Sequence, residues 1–154
     1  MKKFDIVVLG GGPGGYVAAI KGAQHGKSVC LIEKEKLGGV CLNWGCIPTK
    51  ALLKNAEILN YVKSSDKYGI HVENITFDFD FNIQRSRDVA SRLSKGIDFL
   101  LKKNNVHFIN GFGKLKSKNI IKVNKGKKYE NIYGEHIIIS TGARPKKISG
   151  IEVD

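Results

Sequence analysis

The spacing of apolar and polar residues predicts a strand, a helix and a second strand at the start of the chain. Residues 4–9 form a short apolar run rich in β-branched side chains, as is typical of a buried parallel strand. Residues 16–25 carry small and apolar side chains at helical spacing, and Gly26 is suited to end that helix. Residues 28–32 are apolar again, with Glu33 at the end of the run. This order of elements is typical of a βαβ unit.

The rest of the chain continues this alternation of helices and strands. Helical spacing of apolar residues predicts two long helices, at 46–62 and 82–103, and the polar stretch 64–81 is interpreted as a loop with a short strand. Apolar runs predict strands at 106–109, at 120–123 and 129–133 (an antiparallel pair), and at 137–139 (a last buried strand). Together these elements predict an α/β fold with a parallel sheet and a small antiparallel β-meander.

A glycine-rich turn follows the first predicted strand. Gly10, Gly12 and Gly15 have the spacing G-x-G-x-x-G between a strand and a helix. In a dinucleotide-binding turn the first glycine permits a tight bend, the second lets the backbone approach a pyrophosphate, and the third lets helix and strand pack closely. Glu33 stands where a carboxylate accepts hydrogen bonds from a ribose. The combination predicts a Rossmann-like FAD/NAD(P)-binding fold without separating FAD from NAD; a glycine-rich turn without a ligand is the alternative.

Composition and charge narrow the functional classes. The 154 residues are enough for about one domain, and the formal net charge is +12 at pH 7. The lysines are scattered and no basic helix with interleaved aromatic residues is present, so we expect no nucleic-acid partner. Three cysteines are too few for a secreted disulfide framework, and no apolar run reaches the roughly 20 residues that span a bilayer. We therefore expect a cytoplasmic protein without membrane contact, or a mitochondrial matrix protein if a targeting segment was removed.

Two of the three cysteines, Cys41 and Cys46, lie close together just before the first long helix. A disulfide that closes so small a loop stabilises a fold only modestly, so the pair is a candidate for thiol–disulfide exchange. Cys46 is predicted to open the helix, where the helix dipole favours a thiolate, and Lys50 adds positive charge one turn later. Two inert buried thiols and half of a metal site are the alternatives, but metal-ligand partners are not close in sequence, so we expect no metal. Cys30, inside an apolar strand, is interpreted as core.

Three motifs make the chain similar to a known family. They are the turn 10–15 with Glu33, the stretch 38–50 that holds Cys41, Cys46 and Lys50, and the segment 137–145 with Ser140, Thr141, Gly142 and Pro145. On these residues the chain resembles the N-terminal flavin-binding part of the two-cysteine flavoprotein disulfide reductases, the class I pyridine nucleotide-disulfide oxidoreductases. Within that family Val40, Leu42, Asn43, Ile47 and Thr49 make it most similar to the branch that oxidises dihydrolipoamide.

The resemblance implies a cofactor and a role for each motif. FAD would be the cofactor, NAD+ the co-substrate of the full-length enzyme, and Cys41 and Cys46 the redox disulfide. Cys41 would exchange with the substrate, Cys46 would face the flavin and Lys50 would lie beside the flavin ring, so these three are the implied catalytic residues. The implied FAD-binding residues are Gly10, Gly12, Gly15, Glu33, Lys34, Gly39, Val40, Cys41, Lys50, Gly113, Ser140, Thr141 and Gly142. Gly113 would offer its backbone to the adenine end.

The resemblance also implies partners. The full enzyme would oxidise protein-bound dihydrolipoamide as a homodimer, serving the lipoyl domains of 2-oxoacid dehydrogenase complexes or of the glycine cleavage system. Residues 1–154 would form the N-terminal part of the FAD-binding domain, without the family's NAD-binding and C-terminal dimerisation domains. We therefore expect the chain alone to lack NAD+-dependent turnover. A mercuric or glutathione-type reductase and a catalytically silent, truncated flavin-binding product are the alternatives.

Overall fold

The computed structural model describes residues 1–144, 146 and 148–150. The part of the sequence that it describes forms six strands and four α-helices. The strands are β1 (Lys2–Leu9), β2 (Val29–Glu33), β3 (His107–Asn110), β4 (Phe112–Ser117), β5 (Ile120–Lys125) and β6 (Lys128–Ile139). The helices are α1 (Pro13–Gln24), α2 (Gly39–Asn43), α3 (Cys46–Lys63) and α4 (Phe79–Lys103), with a short 3₁₀ helix at Ser65–Tyr68.

The six strands form one mixed sheet in the order β3-β2-β1-β6-β5-β4. β1 pairs in parallel with β2 and β6, and β2 pairs in parallel with β3. β4, β5 and β6 pair antiparallel and form the meander. The predicted α/β fold, with a parallel sheet and a small antiparallel meander, is confirmed.

Side chains alternate between two core layers along the parallel strands. On one face, Val8 and Leu31 pack against Ala19 of α1 and Leu101 of α4. Burial of this layer explains why the apolar stripe of α4 repeats at helical spacing. The helices therefore cover one face of the sheet.

The meander covers the opposite face of the parallel strands. Val7 and Cys30 pack there against Ile121, Val123 and Ile132, all of which are fully buried. Burial raises the pKa of the Cys30 thiol to about 12, so this cysteine stays protonated. The interpretation of Cys30 as a core residue is confirmed.

The structure corrects the predicted boundaries around α4. This helix begins at Phe79 and not at residue 82, because Asp78 caps it by accepting a hydrogen bond from the backbone N–H of Phe81 at 2.9 Å. The described stretch before it holds the 3₁₀ helix at Ser65–Tyr68 and no strand, so the short strand predicted within residues 64–81 is wrong.

The last strand also differs from its prediction. The runs 129–133 and 137–139 were expected to be separate strands, but both belong to β6. Gly134 joins them at the position paired with Phe4 of β1. A glycine fits there because a Cβ would lie 2.7 Å from Cγ2 of Val7. The run 137–139 was expected to be buried, but Ile139 at the end of β6 is 64% exposed. Two further elements, α2 and β4, were not predicted.

Candidate functional site: a nucleotide cleft beside a cysteine pair

A cleft of about 400 Å³ opens at the carboxyl ends of β1, β2 and β6. Because these strands are parallel, the loops that follow them meet at one edge of the sheet, where α/β proteins bind their ligands. Nine of the residues predicted to bind FAD line this cleft: Gly12, Glu33, Lys34, Gly39, Val40, Cys41, Ser140, Thr141 and Gly142. Pro145, part of the third motif, lies outside the described residues. The structure thus brings all three sequence motifs together.

The first and third glycines of the turn are required by close packing. Gly10 has a φ of +108°, and a Cβ there would lie 2.2 Å from the carbonyl oxygen of Ser140. A Cβ on Gly15 would lie 1.8 Å from the carbonyl oxygen of Gly10. Both residues therefore hold α1 against the strand ends and do not themselves line the cleft.

The second glycine leaves room for a ligand. A Cβ on Gly12 would meet only the Cα of Gly39, at 3.8 Å. Gly12 is the N-cap residue of α1, and no side chain caps the helix or places a negative charge in its first turn. The positive end of the helix dipole and its free backbone N–H groups therefore face the cleft, which suits a phosphate group.

Glu33 organises the loop on the other side of the cleft. Its carboxylate accepts hydrogen bonds from the backbone N–H groups of Gly11 and Glu35, each at 2.7 Å. A carboxylate has about four acceptor positions, so two remain for a ligand hydroxyl. The same residue therefore shapes the loop and presents acceptors to the cleft.

A smaller cavity of about 120 Å³ extends the cleft toward the meander. Glu33, Lys34 and Thr141 line both cavities, and Phe112 and Gly113 complete the smaller one. The ammonium group of Lys34 lies 5.8 Å from the ring centroid of Phe112. Gly113 lies in this cavity next to the aromatic ring of Phe112, which is compatible with the predicted contact with an adenine.

The two cysteines lie at the other end of the cleft, on neighbouring helices. Cys41 is in α2, which was not predicted. Cys46 is the first residue of α3, as predicted. Both are thiols here, and they share a hydrogen bond that raises the pKa of Cys41, with partial burial acting in the same direction. The nearby charge of Lys50 lowers the Cys41 pKa but does not outweigh these effects. The two thiols are therefore in contact.

Cys46 and Lys50, two of the three implied catalytic residues, lie outside the cleft wall. Both are exposed on the first turns of α3, and neither lines the cleft or the smaller cavity. Cys41 alone of the three catalytic candidates forms part of the cleft wall. The structure thus places Cys46 and Lys50 beside the cleft.

Cys41 also borders an apolar groove on the helical side of the sheet. This groove, of about 540 Å³, is formed by α1, α2, α3 and α4 and is lined by Tyr16, Leu93, Ile97 and Leu100 among others. Its lining residues carry no charged side chain. Cys41 therefore stands between a polar nucleotide cleft and an apolar groove.

The cleft wall includes residues that were not predicted to bind FAD, among them Trp44, Glu35 and Arg144. Trp44, between the two cysteines, is 47% exposed. Glu35 and Arg144 form an ion pair that joins the loop after β2 to the loop after β6. The position of Arg144 within the third motif could have pointed to it, but ion pairing between distant loops has no sequence signature.

No helix among the described residues is both long and apolar enough to cross a membrane. No group of three or more His, Cys, Asp or Glu side chains in the same part of the chain is arranged to hold a metal ion.

Comparison with known proteins gives one family. The sequence model described as pyridine nucleotide-disulphide oxidoreductase matches residues 4–153. Three curated relatives are each named dihydrolipoyl dehydrogenase. The Chlorobaculum parvum protein is 45% identical over 153 residues, covering 99% of this chain and 33% of the relative. The Zymomonas mobilis protein is 47% identical over 152 residues (98% and 33%), and the Acholeplasma laidlawii protein is 48% identical over 143 residues (92% and 41%).

A solved structure gives the same result for the fold. It is a Cu(II) complex of the HOCl-induced flavoprotein disulfide reductase RclA from Escherichia coli, with a TM-score of 0.82 and 30% identity, covering 97% of this chain and 31% of that one. The chain thus spans about a third of the length of the proteins it matches. The match over residues 4–153, the three motifs and the shared fold show that the chain belongs to the pyridine nucleotide-disulphide oxidoreductase family.

Proposed function

We propose that the chain is the FAD-binding and dithiol-exchanging part of a dihydrolipoamide dehydrogenase. The observation that carries this proposal is the position of Cys41, which lines both the nucleotide cleft and the apolar groove. A cysteine pair that passes electrons from a substrate to a cofactor must be reachable from both, and Cys41 gives the pair access to each side. The identities of 45% and 47% to dihydrolipoyl dehydrogenases support this choice within the family.

The residues of the cleft fit FAD. The open N-terminus of α1 at Gly12 would hold the pyrophosphate, Glu33 the adenosine ribose, and the cavity at Gly113 the adenine. Cys41 and Lys50 would then be near the flavin end. When bound, FAD supplies a two-electron acceptor that reoxidises the cysteine pair.

The cysteine pair carries out the exchange. One substrate thiolate attacks Sγ of Cys41 in the oxidised pair, breaking the Cys41–Cys46 bond and releasing Cys46 as a thiolate. The second substrate thiolate then attacks the sulfur bound to Cys41, forming the substrate disulfide and releasing Cys41 as a thiolate. The two protons that the substrate thiols give up pass to the two cysteine thiolates and two electrons move to the pair, so the product is a dithiol like the one in this structure.

The surroundings of Cys41 affect its part in the exchange. The hydrogen bond to Cys46 raises the pKa of the Cys41 thiol, and partial burial acts in the same direction. In the reverse direction, where Cys41 attacks the disulfide of lipoamide, a base that takes its proton would speed the step, and the family resemblance places such a base in the C-terminal domain of the partner subunit.

The apolar groove indicates the substrate class. A lipoyl group is an aliphatic chain that ends in a dithiolane, and its transfer from water to an apolar groove is favourable. Glutathione carries charged groups, which the lining of this groove would leave without partners. The groove therefore favours dihydrolipoamide over the substrate of a glutathione-type enzyme.

The remaining parts of this proposal rest on the family resemblance. The whole protein would use NAD+ as acceptor, act as a homodimer and serve the lipoyl domains of a 2-oxoacid dehydrogenase complex or of glycine cleavage. A reducing compartment, the cytoplasm or the mitochondrial matrix, would keep its cysteines active.

Cofactor binding is tested by refolding the chain with excess FAD, desalting it and recording the visible absorbance. We expect about one flavin retained per chain. Gly12→Val should abolish retention, because its side chain would fill the space before the helix N-terminus without a backbone clash. Gly96→Ala, where a Cβ meets no atom within 4 Å, is the matched control. Loss of flavin in both variants, or in neither, would contradict the assignment of the cleft.

Substrate class is tested by exchange. The reduced chain is mixed with lipoamide or with glutathione disulfide, quenched by alkylation, and its free thiols are counted by mass spectrometry. We expect Cys41 and Cys46 to oxidise at least about tenfold faster with lipoamide. Cys46→Ser should trap lipoamide on Cys41, and Cys41→Ser should trap much less on Cys46. Equal rates with both disulfides would overturn the proposed substrate.

A further inference from the structure

Positive charge is concentrated in the meander, and the proposed function does not use it. Residues 112–129 contain seven lysines and no acidic residue. Among the described residues, only Lys125 of these seven forms an ion pair, with Glu130. The remaining lysines project a field that attracts anions to this side of the molecule.

The strand register sorts the meander residues onto two faces. Ile121 and Val123 of β5 face the core, so the alternating Lys122 and Asn124 face outward. Asn124 lies directly between Phe112 of β4 and Tyr129 of β6. Lys122 lies directly opposite Lys114 in the adjacent row. We define the outer face as these five residues, Phe112, Lys114, Lys122, Asn124 and Tyr129.

Folding alone does not account for the composition of the outer face. Lysines placed directly opposite each other on adjacent strands destabilise the pair of strands. Phe112 and Tyr129 are 53% and 62% exposed, and burial would stabilise both. Exposed rings and lysines without a carboxylate partner among the described residues therefore share one face, where the ammonium group of Lys122 lies 4.5 Å from the ring centroid of Tyr129.

We propose that the outer face binds single-stranded nucleic acid. Exposed rings on a sheet stack with unpaired bases, and nearby lysines bind the phosphates between them. Tyr129 is the ring available for stacking with a base, because Phe112 also lines the smaller cavity proposed for the adenine of FAD.

Two other ligands fit the outer face less well. A duplex would contact the lysines through its phosphates but hides the faces of its bases from the rings. An acidic protein segment would likewise use the lysines and leave the rings unused. The sequence argument against a nucleic-acid partner considered only basic helices; strand pairing, which the sequence does not display, brings lysines and rings together.

The test is the fluorescence anisotropy of labelled oligo(U) and oligo(dT), each about 15 nucleotides long, against a duplex of the same length. Excess FAD is present, so that binding in the nucleotide cleft is not counted. We expect saturable binding of the single strands, at least about fivefold tighter than binding of the duplex. The affinity should fall steeply with salt, because released counterions drive the phosphate contacts.

Variants separate stacking from simple attraction of charge. Tyr129→Ser should weaken single-strand binding at least about fivefold, and Tyr129→Phe should keep it. Lys122→Gln should weaken binding and reduce the salt slope by about 0.7. Tyr68→Ser and Lys103→Gln, exposed changes away from the meander, are the matched controls, and circular dichroism checks that each variant folds.

Two results would overturn the inference. One is the absence of saturable binding to either single strand at low salt. The other is binding of duplex, or of heparin, as tight as that of single strands with no effect of Tyr129→Ser, which would leave only an attraction for polyanions. Because neither result involves Cys41 or Cys46, the proposed enzymatic function would be unaffected.

Discussion

At the scale of single residues, the shape of the cleft depends on the absence of a side chain at Gly15. A methyl group there would lie 1.8 Å from the carbonyl oxygen of Gly10, and because this oxygen belongs to the backbone it cannot rotate out of the way. We expect Gly15→Ala to lower the free energy of unfolding by about 3 kcal/mol and to abolish FAD retention, because α1 must move off the strand ends. Urea denaturation and flavin absorbance measure the two effects.

The neighbouring glycine provides the control for this prediction. A Cβ on Gly14 would lie 3.7 Å from Oγ of Ser140, which is ordinary van der Waals contact. Gly14→Ala should therefore leave stability unchanged or raise it by up to about 1 kcal/mol, as alanine favours helix. Equal losses in the two variants would show that close approach at Gly15 is not the cause.

His107 makes the fold sensitive to acid. Burial lowers the pKa of its imidazole, and the charges of Lys2 and Lys125 lower it further. The unfolded chain therefore binds more protons than the folded one between the lowered pKa and the ordinary value near 6.5. Stability should be retained above pH 6.5 and decline as the pH falls through the lowered pKa.

The cationic contribution to this effect can be separated. Lys2→Met removes the lysine whose ammonium lies 3.1 Å from Nε2 of His107, so the imidazole pKa should rise. Proton NMR titration of His107 measures the pKa. A His107 pKa that does not change in Lys2→Met would mean that Lys2 does not contribute and that burial and Lys125 lower it.

At the scale of elements, a single cap determines where α4 begins. The side chain of Asp78 accepts a hydrogen bond from the backbone N–H of Phe81 at 2.9 Å. Asp78→Ala should destabilise the fold by about 1 kcal/mol and fray the first turn, as judged by urea denaturation and hydrogen exchange. Asp80→Ala, which removes an equal charge from the same turn but no cap, should cost less. Equal costs would assign the effect to charge.

Elements with a clear apolar pattern could be predicted from the sequence, and those defined by tertiary contacts could not. β1 and β2 are continuous apolar runs and α3 has apolar residues at helical spacing, and these predictions held. α2 is hidden because Gly38 and Gly39 look like a break, whereas their positive φ angles turn the chain directly into that helix. β4 is an edge strand with exposed side chains on both faces, so it lacks a pattern of its own.

The candidate site shows the same division. The three glycines, Glu33 and the cysteine pair have fixed spacing within local motifs, so they could be identified from sequence. Trp44 and the ion pair of Glu35 and Arg144 could not be, because they reach the cleft only through loops that the sheet brings together. Local chemistry was thus readable in the sequence, and contacts between distant segments required the fold.

At the scale of the whole molecule, the cleft joins segments more than 100 residues apart. The strands β2 and β6 lie on opposite sides of β1, and the loops that follow them are tied together by the pair of Glu35 and Arg144. If FAD occupies the cleft, this pair closes over its adenosine half. The guanidinium of Arg144 also lowers the pKa of the Glu35 carboxyl, so the pair stays intact at neutral pH and is lost only as acid protonates Glu35.

We therefore expect Arg144→Gln to speed the release of bound FAD about two- to fivefold, the range for an exposed ion pair. Salt should speed release from the parent chain and have little effect on the variant. Release is followed by flavin fluorescence after dilution. Arg92→Gln, an exposed change on α4, controls for net charge, and the exchanged pair Glu35→Arg with Arg144→Glu should restore slow release. Unchanged release in Arg144→Gln would show that the two loops hold the cofactor independently, with the sheet alone setting the width of the cleft.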